Sequence, residues 1–137
     1  MDFFDALVRY ETELWNHLDD RLRDGGAVSL GTLSALRVVG RHPDDCRVHE
    51  IRTELAITVG AASKLVDRLE RDGWAVRRAN PGDRRSSFVA LTPAGADALA
   101  VGSALLEREL REQLGDEPGV ADATAVLLRL RSRLGVR

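Results

Sequence analysis

The sequence predicts a mostly α-helical chain interrupted by one small β-hairpin. Three observations carry that reading. Apolar residues recur at spacings of three and four along most of the chain. One interval, residues 74–91, instead holds two short runs rich in Val and aromatics around a turn-forming stretch. Aromatics make up only 4% of the 137 residues and prolines number four, a balance suited to helices packed through Leu, Val and Ala. Residues 1–137 fit a single domain, long enough to hide on the order of two-thirds of the unfolded surface.

The elements follow in order. The first helix spans Asp2 to about Arg23, with Phe3, Leu7, Tyr10, Leu14, Leu18 and Leu22 on one stripe, widened by Phe4, Val8 and Trp15. Two stripes exceed what one intrachain contact needs, so a partner chain is expected to cover the second. Asp24-Gly25-Gly26 ends this helix. Ser29 caps a second helix through Leu30, Leu33, Leu36 and Val39, closed at Gly40 and His42-Pro43. A short third helix runs from about Glu50 to Ala56, with His49 at its expected N-cap and Ile51 and Leu55 inward. Thr58 caps a fourth helix to about Asp72, and Gly73 stops it.

Trp74 to Arg78 and Phe88 to Leu91 then read as hairpin strands, joined by a tip running from Asn80 to Ser87. Thr92-Pro93 opens a long helix, with Thr as cap and Pro at the first helical position, past Leu99, Leu106 and Leu110 to Leu114. Gly115 stops it. The last helix carries Val120, Ala123, Leu127, Leu130 and Leu134, a seam suited to helix packing. A short helix, a tight turn, a helix and a hairpin in succession form a winged helix-turn-helix. It is expected over about 29–92, flanked by dimerisation helices at about 1–24 and 93–137.

The net charge of −2 argues weakly against nucleic acid, but its distribution matters more. Between Thr58 and Ser87 seven basic residues face four acidic ones, a local net of +3 that leaves −5 for the rest. Cys46 is the sole cysteine, which excludes an intrachain disulfide and suits a reducing compartment. The acidic start and the lack of a long apolar run give no sign of a signal peptide or a membrane span, so a cytoplasmic location is expected.

The fourth helix holds the chemistry. Ala62, Leu65, Val66 and Leu69 share one face and should pack inward. The opposite face shows Gly60, Ala61, Lys64, Arg68 and Arg71, with Ser63 at its edge. Small residues near the N-terminus permit close approach to a major groove, while Ser63 and Lys64 reach base edges or phosphates. The ordinary alternative is a solvated amphipathic helix with Asp67–Arg71 and Arg68–Asp72 pairs. At the hairpin tip Asp83 stands beside Arg84 and Arg85, so a carboxylate is placed to orient a guanidinium toward a minor groove. The ordinary alternative there is a solvated Arg-rich turn.

Three stretches stand out: Leu65-Val66-Asp67-Arg68-Leu69-Glu70-Arg71-Asp72-Gly73-Trp74, then Arg78 to Arg85 through Asn80-Pro81-Gly82-Asp83, then Val89-Ala90-Leu91-Thr92-Pro93-Ala94-Gly95. Together they resemble the MarR family of bacterial regulators. The resemblance implies that Ser63, Lys64 and Arg68 contact DNA from a recognition helix capped by Thr58. It implies that Arg85 enters the minor groove with Asp83 orienting it, and that Arg84 lies against the backbone. It further implies a homodimer on a pseudo-palindromic operator, acting as a repressor released by a small, often aromatic or phenolic, ligand. Ala61-Ala62 depart from the family, where larger or hydroxylated residues are common.

Tyr10, Trp15 and His17 are candidates to line an effector pocket, although aromatics on a stripe more often belong to a core. His42, Cys46 and His49 lie close in sequence, yet their spacing matches no metal motif, so neither metal nor cofactor is expected. Cys46 could alternatively centre a thiol- or metal-responsive sensor. A protein-interaction module using the same basic face is the other alternative. No nucleophile, base and orienter arrangement points to an enzyme.

Overall fold

In the computed structural model, residues 1–135 are described; Val136 and Arg137, at the end of the expected second dimerisation segment, lie outside the described residues. The elements run α1 (Phe3–Asp24), α2 (Leu30–Arg41), α3 (Val48–Leu55), α4 (Val59–Arg71), β1 (Ala75–Ala79), β2 (Ser87–Leu91), α5 (Pro93–Leu114) and α6 (Val120–Arg133). The mostly helical class, the single hairpin and the element order match the sequence reading.

Local chemistry sets most boundaries. Asp2, Ser29, Thr58 and Thr92 each place a side-chain oxygen on a backbone N–H of the first helical turn. Gly73 ends α4 at φ +81, where a Cβ would be strained. Strand β1 is shifted by one residue from expectation and β2 begins one residue earlier, at Ser87, and two helix boundaries differ as well. Helix α3 starts earlier, because Arg47 rather than His49 is its N-cap: the Arg47 backbone N–H donates to the Glu50 carboxylate at 2.8 Å. Helix α2 runs through Gly40 to Arg41 before His42 ends it. The α3–α4 turn passes through Ala56 at φ 54, the one non-glycine residue at positive φ among those described.

Two apolar clusters hold the fold, and α2 contributes to both. Ala35, Leu36, Val38, Val39, Ile51, Ala62, Val66, Leu69 and Val89 form the centre of the helix-turn-helix and hairpin. Leu18, Leu22, Leu30, Leu33 and Leu106 join α1, α2 and α5. Gly102 lets α5 approach Leu33 so closely that a Cβ there would press on its side chain. The strands pair antiparallel, Ala75 with Leu91 through Ala79 with Ser87. A third segment joins them, since the Val89 N–H donates to the Cys46 carbonyl at 2.7 Å. By contrast, residues 3–13 of α1 are all exposed and α6 has no buried residue.

Candidate nucleic-acid interface

Helix α4 divides as its periodicity requires. Ala62, Leu65, Val66 and Leu69 are buried, while Gly60, Ala61, Lys64, Arg68 and Arg71 are exposed on the other side. Ser63, at the edge, is half-buried. Thr58 Oγ1 accepts the Ala61 N–H at 3.1 Å, which fixes the start of the helix with its remaining N–H groups directed outward. Nothing stands within 4 Å of the place a Gly60 Cβ would take, so the N-terminal turn is open to close approach. A basic, uncovered helix face with a small-residue leading end is therefore present, and the Asp67–Arg71 and Arg68–Asp72 pairs of the ordinary alternative are not formed. Asp67 instead meets Arg77, and Arg71 meets Asp72.

The hairpin tip is ordered by its own side chains. Asn80 Oδ1 accepts the Gly82 N–H at 3.0 Å, and its amide donates to Ser86 Oγ at 3.1 Å. Asp83, Arg84 and Arg85 are all exposed. Here the expected geometry is corrected. Asp83 Oδ1 accepts the backbone N–H of Arg85 at 2.9 Å, and no ion pair to the Arg85 guanidinium is formed among the described residues. A short carboxylate two residues upstream closes an Asx turn more readily than it reaches a long, solvated side chain. Asp83 thus sets the backbone from which Arg85 projects, not the guanidinium itself.

Two residues beyond the expected set adjoin this surface. Arg47, at the start of α3, donates to Glu50 at 2.8 Å and lies near enough to Asp83 to feel its charge. Arg77, on β1, bridges Asp67 and Glu70 at 2.7 Å each. Burial opposes its charge, but the hydrogen bonds to those carboxylates outweigh it and hold its pKa above the ordinary value. Neither link is legible as a helical i, i+4 spacing.

Tyr10, Trp15 and His17 are not brought together. Trp15 lines a cavity of about 380 Å³ with Ser34, Leu55, Ile57, Ala61, Leu65 and Arg68, where α1 adjoins α2, the α3–α4 turn and the edge of the exposed face of α4. Tyr10 faces an apolar groove of about 540 Å³ with Phe3, Leu7, Leu114, Val120 and Leu127. His17 sits on the α1–α5 seam beside Gln113, 4.0 Å from the buried Glu109 carboxylate that Arg21 also holds at 3.2 Å. Of the three, Trp15 alone shares a wall with the basic helix.

Cys46 is fully buried, and burial first, then the Glu50, Glu54 and Asp45 charges, push its thiol up to about 12. His42 is engaged by Glu54, whereas His49 is exposed. Among the described residues, no group of three or more His, Cys, Asp or Glu is arranged to hold a metal ion. An inert, buried thiol is the opposite of what a thiolate sensor requires. Among the described residues, no helix is long and apolar enough to cross a membrane.

Residues 28–86 match the family model described as MarR family. The multiple antibiotic resistance protein MarR of Escherichia coli (strain K12) is 34% identical over 65 residues, 47% of this chain and 45% of that protein. The match thus spans under half the length of that relative. Among solved structures, S. aureus MepR in a complex with DNA superposes with a TM-score of 0.85 at 18% identity, covering 98% of each chain. Sco3205 of Streptomyces coelicolor, a MarR family transcriptional regulator in complex with DNA, gives 0.83 at 24%, covering 94% of this chain and 82% of that one. At such identities these two likenesses establish the winged-helix fold.

Proposed function

We propose, from the match of residues 28–86 to the MarR family model, that two copies of this chain bind double-stranded DNA and regulate transcription as a ligand-released repressor of that family. The observation that carries this reading is the exposed face of α4, where Lys64, Arg68 and Arg71 lie opposite the buried Ala62, Leu65, Val66 and Leu69, beside an arginine-tipped hairpin. Helix α4 enters a major groove from its Thr58–Ala61 end, and Ser63, Lys64 and Arg68 meet bases or phosphates. The tip carries Arg85 into the adjacent minor groove, where narrowing deepens the negative potential, with Arg84 against the backbone. Nothing in this reading calls for catalysis, and the work is done in the cytoplasm.

Two copies are needed because the termini are unfinished in one. Helix α6 buries no residue, and the groove between Phe3, Leu7, Tyr10 and Leu127 stays open. A two-fold pairing closes both, and the operator then mirrors that symmetry, with half-sites about one helical turn (roughly 10 base pairs) apart. Selection of duplexes from a randomised pool tests the reading. A palindromic consensus whose affinity falls steeply with salt is expected, since each phosphate contact releases counterion. Failure to retain any duplex, or binding that ignores salt, refutes it. Leu127→Asp should yield a monomer in sedimentation that has lost the duplex.

The Trp15 cavity is the effector site in this reading. Its walls are largely apolar, and Arg68 gives it one cationic edge, a combination suited to a small aromatic acid or phenol. A ligand there draws Arg68 away from DNA. Quenching of Trp15 emission together with release of the selected duplex tests this, and Trp15→Leu should blunt both.

A further inference from the structure

Arg77 is the place where the hairpin is tied to α4. Its Nη1 donates to Glu70 Oε1 and its Nη2 to Asp67 Oδ1, both at 2.7 Å, while its backbone N–H donates to Glu70 Oε2 at 3.2 Å. The two carboxylates lie three residues apart on α4, so one planar fork spans one turn of the helix. Otherwise the passage from α4 to β1 is Asp72-Gly73-Trp74, pivoting on a glycine at φ +81. Ala75 and Val89 in the core and the Val89–Cys46 bond fix the hairpin root, so Arg77 is the tie to α4 nearest the tip, beyond which the ribbon can bend.

We propose that Arg77 is a positioning residue for DNA binding: it braces the hairpin against the recognition helix and neutralises the two acids that flank the basic face. The inference rests on the DNA-binding reading above. The lever is long enough to matter. At about 3.3 Å per strand residue the Arg85 backbone lies roughly 10–15 Å beyond Arg77, so a bend of about 10° at Arg77 moves it by about 2 Å. Groove contacts tolerate on the order of 0.5 Å. A single isolated surface pair would be too weak for this role, but a fork over two carboxylates with a third bond from the backbone is the networked case in which such pairs count.

The experiment compares wild type with Arg77→Gln, Arg77→Lys and the double change Asp67→Asn with Glu70→Gln. Amide hydrogen exchange is followed without DNA, and affinity and minor-groove footprint on the tightest duplex the wild type selects from a randomised pool. Arg77→Gln should speed exchange across residues 75–91 about tenfold while leaving α2 unchanged. It should also weaken the duplex roughly tenfold, the cost of one good contact, and erase the hairpin footprint but not that of α4. Arg77→Lys, with its charge but no fork, should fall between. The double change removes two negative charges near DNA, so an account by charge alone expects tighter binding, whereas the brace expects weaker binding and faster hairpin exchange. Unchanged hairpin exchange in Arg77→Gln, exchange accelerated equally in α2, full activity of Arg77→Lys, or tighter binding by the double variant would each overturn the proposal. If the wild type selects no duplex, the DNA-binding reading fails, and the exchange data alone decide whether the brace exists.

Discussion

Replacing Asp83 separates two ways in which a carboxylate can serve the hairpin tip. Its Oδ1 accepts the Arg85 N–H at 2.9 Å in an exposed turn, a bond of the kind that contributes about 0.5–1 kcal/mol net. Asp83→Ala removes that bond, and on this basis each tip should hold its bound geometry roughly two- to fivefold less often. Two tips in a dimer compound the loss to roughly four- to 25-fold if they act independently. The same substitution removes a negative charge near phosphate, which strengthens binding, though at about 0.15 M salt screening over roughly 8 Å limits the gain. Asp83→Asn isolates the charge, because an amide oxygen still accepts the Arg85 N–H. The expected order is therefore Asp83→Asn at least as tight as wild type, and Asp83→Ala weaker than Asp83→Asn by the factor above. Fluorescence anisotropy on a selected duplex at several salt concentrations reads both quantities. Equal weakening by Asn and Ala would mean that the charge acts on the Arg85 guanidinium after all, and the backbone account would be wrong.

Other substitutions probe the scaffold. Gly95→Ala should cost about 3 kcal/mol or more in denaturant unfolding, because its Cβ would overlap the Trp74 carbonyl oxygen, which the Thr92 N–H already holds at 3.1 Å. Ala56→Gly should stabilise by up to about 1 kcal/mol in the same assay, since it relieves a left-handed residue in the α3–α4 turn. Cys46 should resist thiol alkylation at neutral pH until urea unfolds the chain; rapid native labelling would contradict its burial and its thiol pushed up to about 12. At Glu54 burial disfavours the charge, but hydrogen bonds to His42 and Arg41 outweigh it and set the folded pKa below the ordinary 4.5. Its contribution is complete above that value and is lost as pH falls through the folded pKa, so Glu54→Gln should flatten the acid limb of a melting-temperature profile.

What the sequence revealed tracks how local each determinant is. The fourth helix was legible because its cap, its inward face and its stop lie within sixteen residues, Thr58 to Gly73. The start of α3 was not, since Arg47 is no usual N-cap and its backbone N–H is met only by Glu50 reaching back. Arg77 was hidden for a different reason. Its partners stand seven and ten residues away across a change from helix to strand, a separation that no single period describes. The Cys46–Val89 bond joins residues 43 apart and depends wholly on tertiary packing. The candidate effector residues show the same limit, because Tyr10, Trp15 and His17 lie on one helix yet face three different surroundings.

Every hydrogen bond that residues 80–86 make, among the described residues, stays within that segment: Asn80 with Gly82, Asp83 and Ser86, and Asp83 with Arg85 and Ser86. The tip therefore exchanges no hydrogen bond with the body it is mounted on, and its electrostatic link to that body is the charge of Asp83 felt at Arg47. On the proposed DNA-binding reading, substitutions there should alter which duplex is preferred with little cost to folding. Over evolutionary time such a segment is a place where target preference can drift in small, survivable steps. In the laboratory it is a natural cassette for grafting, with Ala79 and Ser87 as the splice points.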